Sequence, residues 1–387
     1  MAFIYEFTNL RITNILIVAG EPSGDLHAAP VVRELQALQT DLTCFGAGGD
    51  LLKAERVELL ATVEQMAVMG FSDVPRVLPR LARLKRDLLR RVERDRVPLA
   101  ILVDYPGFNL NLARALKRLP HPPRILYYIA PQVWAWRAGR VKLIRRVVDR
   151  MAVVFPFEVK LFDDAGVPVS FVGHPLLDEL SSCLPLPSRA VKIKGGDNPF
   201  LLALLPGSRK QEVERHLPMM LQSVSLLRRD FPDLRVGVGC APNLERSLYE
   251  RMAARTAVDF HPDSRRLLAE SDAAAVCSGT ATLEAALLDC PQVVVYRTSR
   301  LNYEIARRFV KIRNVALVNV VPGRQVASEL LQDGFTPESL AGELRRLLTD
   351  QPKRDEIRQG YARVRELLGE PGAARKVAEL AMRMIEP

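Results

Sequence analysis

Short β-branched runs alternate with amphipathic helical stretches along most of the chain, the pattern of a parallel α/β sheet buried on both faces. The runs Asn14–Ala19, Leu99–Val103, Arg124–Ile129 and Met151–Phe155 each end at a Pro, Gly or Asp and give way to helical periodicity, the first helix covering about Asp25–Leu38. Between residues 175 and 199 the pattern breaks in a stretch holding Pro185, Pro187, Gly195, Gly196 and Pro199. A second series then runs through Phe200–Leu205, Arg235–Cys240, Ala273–Cys277, Val293–Tyr296 and Val315–Val318, and from Thr336 to Ile385 helix follows helix. The expected architecture is two Rossmann-like α/β domains, residues 1–175 and 200–350, joined by a linker over 176–199. Residues 351–387 form C-terminal helices able to pack back on the N-terminal domain. Open α/β sheets bind ligands beyond the carboxyl ends of their strands, so two of them face to face predict a two-substrate cleft.

Composition narrows the class. Of 387 residues 48% are apolar and 26% charged, which excludes disordered, collagen-like and disulfide-stapled chains. The net charge of +10 favours acidic partners: phosphates, anionic lipid or nucleic acid. No apolar run approaches the ~18–20 residues of a membrane span, and Met1–Leu10 lacks the basic start of a signal peptide. Five cysteines without a CxxC fit a reducing cytoplasm. HExxH, Asp-x-Asp, GxxxxGK[ST] and GxSxG are all absent, so no metal site, P-loop, serine-hydrolase elbow or cofactor is expected.

The chemistry-bearing residues collect in the strand-to-helix turns. Gly20-Glu21-Pro22-Ser23-Gly24-Asp25 reads either as a capped turn, with Ser23 or Asp25 capping the helix, or as a turn facing a ligand. Asp104, at the tip of an apolar strand, reads equally as a helix cap or as a partly desolvated base. Pro131–Arg137 holds both tryptophans of the chain, Trp134 and Trp136, beside Arg137, an aromatic and basic wall for sugar, acyl chain or phosphate. Gly207, Ser208 and Arg209 offer close backbone approach, a hydroxyl and a planar fork for phosphate. Ser278-Gly279-Thr280 presents N–H groups at a helix start, and Glu284 one turn on suits ribose hydroxyls. His174 is a minor candidate at the domain junction. From Arg76 to Arg96 nine basic residues face three acidic ones, with Val77, Leu81, Leu84, Leu88 and Val92 at helical spacing. That stretch is either a solvated helix face or, with Met66, Val68, Met69, Phe71, Arg76, Arg80 and Arg83, a membrane-surface patch. Nucleic acid fits less well, since no binding motif or interleaved aromatics occur.

Taken in order, these motifs resemble the lipid-A-disaccharide synthase family, glycosyltransferases of the two-Rossmann (GT-B) architecture. The resemblance runs from about residue 14 to 335. It rests on the turn 19–25, Ala67–Gly70, Asp104 with Pro106 and Phe108-Asn109, Val133–Arg137, Val172–His174, Leu204–Arg209, Ser278–Glu284, Tyr296-Arg297 and Asn319 to Arg324. It implies transfer of 2,3-diacylglucosamine from UDP-2,3-diacylglucosamine to lipid X (2,3-diacylglucosamine 1-phosphate), with inversion, to give the β-1′,6 lipid A disaccharide 1-phosphate and UDP. On this pattern Asp104 is the base and Arg209 steadies the leaving UDP. Gly207, Ser208, Ser278, Gly279, Thr280, Glu284, Arg297 and Asn319 complete the donor site. Glu21, Ser23, Gly24, Asp25, Asn109, Trp134, Trp136, Arg137 and His174 line the acceptor side. Lipid substrates imply a peripheral protein on an anionic surface, the cytoplasmic face of the inner membrane. The alternatives are another GT-B enzyme using UDP-N-acetylglucosamine (a lipid-linked transferase or a 2-epimerase), and a non-catalytic basic protein bound to membrane.

Overall fold

The computed structural model describes residues 13–66, 74–131, 139–181, 199–299, 303 and 314–385. They divide into two compact units: Met1–Pro175 with Glu370–Pro387, and Leu176–Gly369.

The first unit is built on seven parallel strands, β1 (Thr13–Ala19), β2 (Leu42–Gly48), β3 (Glu58–Thr62), β4 (Leu99–Val103), β5 (Arg124–Tyr128), β6 (Arg150–Val153) and β7 (Val169–Phe171). Their order is β3-β2-β1-β4-β5-β6-β7. Every residue of β4 is buried, as are the last five of β1, which is why both read as unbroken apolar runs. β3 and β7 escape the hydrophobic pattern, and so does β2. Its glycines dilute the apolar signal, and Gly46 is required because a Cβ there would lie 1.7 Å from the Ile17 carbonyl oxygen of β1.

Two helices of this unit bear on function. The basic helix Val74–Asp95 turns Leu84, Leu88 and Val92 into the core, so these apolar residues serve packing. The last helix, Ala373–Ile385, returns to the first unit and packs on Pro22–Leu38, where Arg375 bridges Glu34 at 3.1 Å.

The second unit has six parallel strands, β8 (Leu201–Leu205), β9 (Arg235–Gly239), β10 (Asp259–His261), β11 (Ala273–Cys277), β12 (Gln292–Tyr296) and β13 (Ser328–Leu331), in the order β10-β9-β8-β11-β12-β13. The helix Gln351–Leu368 belongs to this unit, packing on Ala281–Leu287, and Tyr361 donates to the Cys290 carbonyl at 3.0 Å. The edge strand corrects one expectation. Val315–Val318 is not a strand: the chain turns into the helix Leu317–Val320, and the N–H groups of Val315 and Ala316 donate to the Glu329 carboxylate instead of a neighbouring strand.

Both sheets follow one winding. The chain builds outward from β1 through β2 and β3, then recrosses to place β4 on the other side of β1; β8, β9, β10 and β11 repeat this. The turns after β1 and β4, and after β8 and β11, therefore diverge and leave a crevice at each switch point.

Candidate active site

At the switch point of the first unit the chain leaves β4 through two successive left-handed residues, Asp104 and Tyr105, each with φ near 44°. Neither is a glycine, so the conformation is strained and must be held from outside. Asp104 N–H donates to the Tyr128 carbonyl (2.9 Å), the last step of the β4–β5 ladder. Its own carbonyl accepts from Tyr127 Oη (2.6 Å) and Asn109 Nδ2 (2.8 Å). Tyr105 Oη donates to the Met66 carbonyl at 2.9 Å. The Tyr105 ring covers Gly20, where a Cβ would come within 2.1 Å of ring carbon Cδ1. Burial, seconded by the negative charge of Glu21, pushes the Asp104 carboxyl up to about 6; the Tyr105 N–H and His27 pull the other way. A carboxylate so poised accepts a proton readily near neutral pH.

The turn after β1 behaves differently from the capped helix expected. Glu21 stands at the N-cap and Pro22 at the first helical position, where a missing N–H costs nothing. Asp25 is buried and points away from the crevice, its carboxylate accepting from the N–H groups of Gly49 (2.7 Å), Leu51 (3.0 Å) and Leu52 (3.2 Å). It caps the helix Asp50–Ala54 and is not an acceptor-site residue. Gly24 is buried against Ala19, and Asn109 is wholly buried under the Asp104 turn, so neither exposes a side-chain surface to an acceptor. His174 is buried with its ring against Phe155 (5.2 Å between centroids). Glu21 and Ser23 remain exposed beside the turn. Trp134, Trp136 and Arg137 lie outside the described residues, as do Val68, Met69, Phe71 and the side chain of Arg76. Met66 is no part of a surface patch, being buried in the core, whereas Arg80 and Arg83 are exposed.

At the switch point of the second unit the turns after β8 and β11 share one pocket of about 400 Å³. Its lining includes Gly207, Ser208, Arg209, Ser278, Gly279, Thr280 and Glu284, so seven of the expected donor-site residues converge. Gly207 has φ +125°, and a Cβ there would lie 2.6 Å from Glu212 Oε2, so only glycine fits. Glu212 was not anticipated. Its carboxylate accepts from the N–H groups of Ser208 and Arg209 (3.2 Å each) and pairs with the Arg209 guanidinium at 2.9 Å. A Glu three residues into a helix is a readable capping signal. The Arg209 side chain is nonetheless 80% exposed. On the β11 side Ser278 N–H is used by the Val295 carbonyl (3.0 Å), while the N–H groups of Gly279 and Thr280 have no partner among the described residues. Glu284 lines the pocket while bonded to Arg265 at 2.8 Å, and Arg265 also pairs with Glu179.

Two of the expected donor-site residues, Asn319 and Arg297, lie outside the lining of this pocket. Asn319 is wholly buried and saturated: its Nδ2 donates to the Ala327 carbonyl and Glu329 (2.8 Å each), its Oδ1 accepts from Val326 (2.6 Å) and Ala327 (2.9 Å). It shapes the loop before β13 and has no capacity left for a ligand. Arg297 is not among the lining residues; its N–H donates to His216 Nε2 at 2.9 Å. That bond fixes the tautomer of buried His216, whose Nδ1–H then donates to the Pro206 carbonyl (2.8 Å) and ties the β8 turn to the end of β12. Ser264 and Gly239 also line the pocket, and Asn243 Nδ2 donates to the Ser208 carbonyl (3.1 Å); these contacts span distant segments and left no local signal. Cys277, in the same wall, is buried and its thiol is pushed up to about 12, so it stays protonated.

Known proteins share this chain's sequence pattern and fold. The family model described as Lipid-A-disaccharide synthetase matches residues 15–384. The lipid-A-disaccharide synthase of Anaeromyxobacter dehalogenans (strain 2CP-1) is 44% identical over 376 residues, covering 95% of this chain and 97% of that protein. Among solved structures, the calicheamicin glycosyltransferase superposes with a TM-score of 0.60 at 16% identity, covering 97% of this chain and 99% of that one. The UDP-GlcNAc 2-epimerase of Neisseria meningitidis, bound to UDP-GlcNAc, gives 0.61 at 14% identity, covering 96% and 100%. At such identities the two structures establish the shared fold.

Proposed function

Since the chain belongs to the lipid-A-disaccharide synthase family, we infer that its two switch-point sites divide one glycosyl transfer between them. The protein is a glycosyltransferase of lipid A biosynthesis. The donor is UDP-2,3-diacylglucosamine and the acceptor is lipid X. The observation that carries the reading is the convergence of the β8 and β11 turns on one pocket that offers Arg209, two unengaged N–H groups and Glu284 to a UDP-sugar.

In this reading the diphosphate is held by Arg209 and by the N–H groups of Gly279 and Thr280. Glu212 presets the β8 turn by taking its N–H groups and steadies Arg209 until the diphosphate competes for the guanidinium. Asp104 takes the proton of the acceptor 6-hydroxyl. A carboxylate cannot ionise an alcohol beforehand, so the proton moves as the new carbon–oxygen bond forms on the face opposite the departing UDP. That geometry inverts the α-linked donor into a β-1′,6 linkage. Fixed positive charge and N–H donors supply leaving-group stabilisation without reorganisation during the reaction.

Helix Val74–Asp95 supports a surface role. Arg91 and Arg94 are paired with Glu58 and Asp95, while Arg80, Arg83 and Arg86 are exposed beside Leu78, itself 58% exposed. We assign this end of the helix to the anionic cytoplasmic face of the inner membrane. No helix among the described residues is long and apolar enough to cross a membrane.

The test is UDP release from UDP-2,3-diacylglucosamine with and without lipid X, beside UDP-N-acetylglucosamine as donor. Acceptor-dependent release confined to the acylated donor is expected. Turnover of plain UDP-N-acetylglucosamine alone would overturn the substrate assignment and favour a sibling UDP-sugar enzyme.

A further inference from the structure

The strained turn at Asp104 needs an external hold, and two side chains outside the reacting set provide it. Tyr127, on the neighbouring strand β5, is wholly buried and spends its hydroxyl on the Asp104 carbonyl at 2.6 Å. Asn109, one turn into the helix Pro106–Leu116, reaches the same oxygen at 2.8 Å and the Val103 carbonyl at 3.1 Å. A carbonyl has two lone-pair sites, and here both are taken, one from the sheet side and one from the helix side. Asn109 Oδ1 has no partner among the described residues, so the amide is oriented entirely by its donor end. A buried, half-satisfied amide at a doubly strained turn is the sort of cost that persists where surrounding structure fixes a functional geometry.

We propose that Tyr127 and Asn109 are positioning residues for the transfer reaction, clamping the Asp104 carbonyl so that the left-handed turn presents its carboxylate. This rests on the base role of Asp104. With one donor removed, the turn relaxes toward unstrained backbone and the carboxylate moves outward into water. The groups facing it are Glu21 and His27 from the β1 turn and its helix, adjacent Tyr105, and Tyr127 itself. Tyr127 is held neutral by burial, so its replacement by Phe leaves the charges around Asp104 unchanged.

The experiment is the pH dependence of kcat and KM for Tyr127→Phe, Asn109→Ser, Asp104→Asn and the control Tyr361→Phe. Tyr361→Phe deletes a comparable buried hydroxyl-to-carbonyl bond in the second unit. For Tyr127→Phe and Asn109→Ser the expected result is a fall in kcat of roughly 10–100-fold with KM little changed. Their acid limb should shift from about 6 toward the ordinary carboxylate value near ~4. The control should leave the limb in place. A variant that only loses stability lowers the active fraction and, where acid unfolding sets in earlier, moves the limb up, never down. If Asp104→Asn is inactive while the limb stays near 6 in both clamp variants, the clamp is refuted and the base role stands. If Asp104→Asn turns over normally, base role and clamp fall together.

Discussion

The two units are wound alike, yet their switch points are built from opposite materials. In the second unit the turns rely on absent side chains: Gly207 and Gly279 let backbone approach a ligand, and N–H groups with Arg209 make a positive lining. In the first unit the equivalent turn after β4 has no glycine, and two residues with φ near 44° hold a carboxylate partly out of water. An anion site needs donors that can be touched, and backbone supplies them cheaply. A base needs one side chain at a fixed place with a shifted pKa, which demands burial and strain. Under the proposed function, one winding thus serves a receptive site and a reactive one.

That contrast breaks most sharply at Asp104. Asp104→Asn should lower kcat by about 10²–10⁴. It should also raise the melting temperature at pH 7 and above. Because the native pKa lies above the unfolded one, the native state binds the proton more tightly, and ionised Asp104 destabilises the fold above about pH 6. That penalty fades as pH falls through 6 toward 4, so paired thermal melts at pH 8 and at pH 4 should show the mutant's advantage only at pH 8. Next in size, Arg209→Ala should cost ~3–4 kcal/mol of transition-state stabilisation, read as kcat/KM, with the melting temperature nearly unchanged since the side chain is exposed. Gly20→Ala should cost ~1–3 kcal/mol in denaturant unfolding, because the new methyl meets the Tyr105 ring, and should depress kcat by disturbing the same turn. Asp25→Ala separates structure from chemistry. It orphans three N–H groups and should cost ~1–3 kcal/mol of stability with kcat per folded molecule retained. The smallest effect is at the surface: Arg80→Gln with Arg83→Gln should weaken sedimentation with anionic vesicles by a few-fold at low salt, about 1 kcal/mol per charge at most.

How much of this was legible in the sequence follows from which contacts are local. β4 and β11 announce themselves because both faces are buried and every residue is apolar. The turns at Gly207–Arg209 and Ser278–Thr280 are readable because glycine and small residues at strand ends have a backbone reason to be there. β2 and β13 were hidden, the first by glycines needed for close approach to β1, the second by polar Ser328 and Glu329 on a half-buried edge. The misassigned residues fail for one shared reason. Asp25, Asn109 and Asn319 are polar residues beside switch-point turns, yet each spends its hydrogen bonds on backbone: Asp25 on Gly49, Leu51 and Leu52, Asn109 on Val103 and Asp104, Asn319 on Val326 and Ala327. Met66 likewise looked like surface because its burial is decided by the core it enters. Conversely Tyr127 and His216 matter through nonlocal bonds that leave no local sign, whereas Glu212 acts on Ser208 and Arg209, one turn away, and is readable as a cap.

Titration of UDP into Asp104→Asn and Arg209→Ala proteins separates the labour of the two switch points. Asp104→Asn should bind UDP as the unmodified protein does, Arg209→Ala should bind it at least tenfold more weakly, about 1.4 kcal/mol or more, and both should lose turnover. Equal loss of UDP affinity in the two variants, or undiminished affinity in Arg209→Ala, would contradict that division of labour.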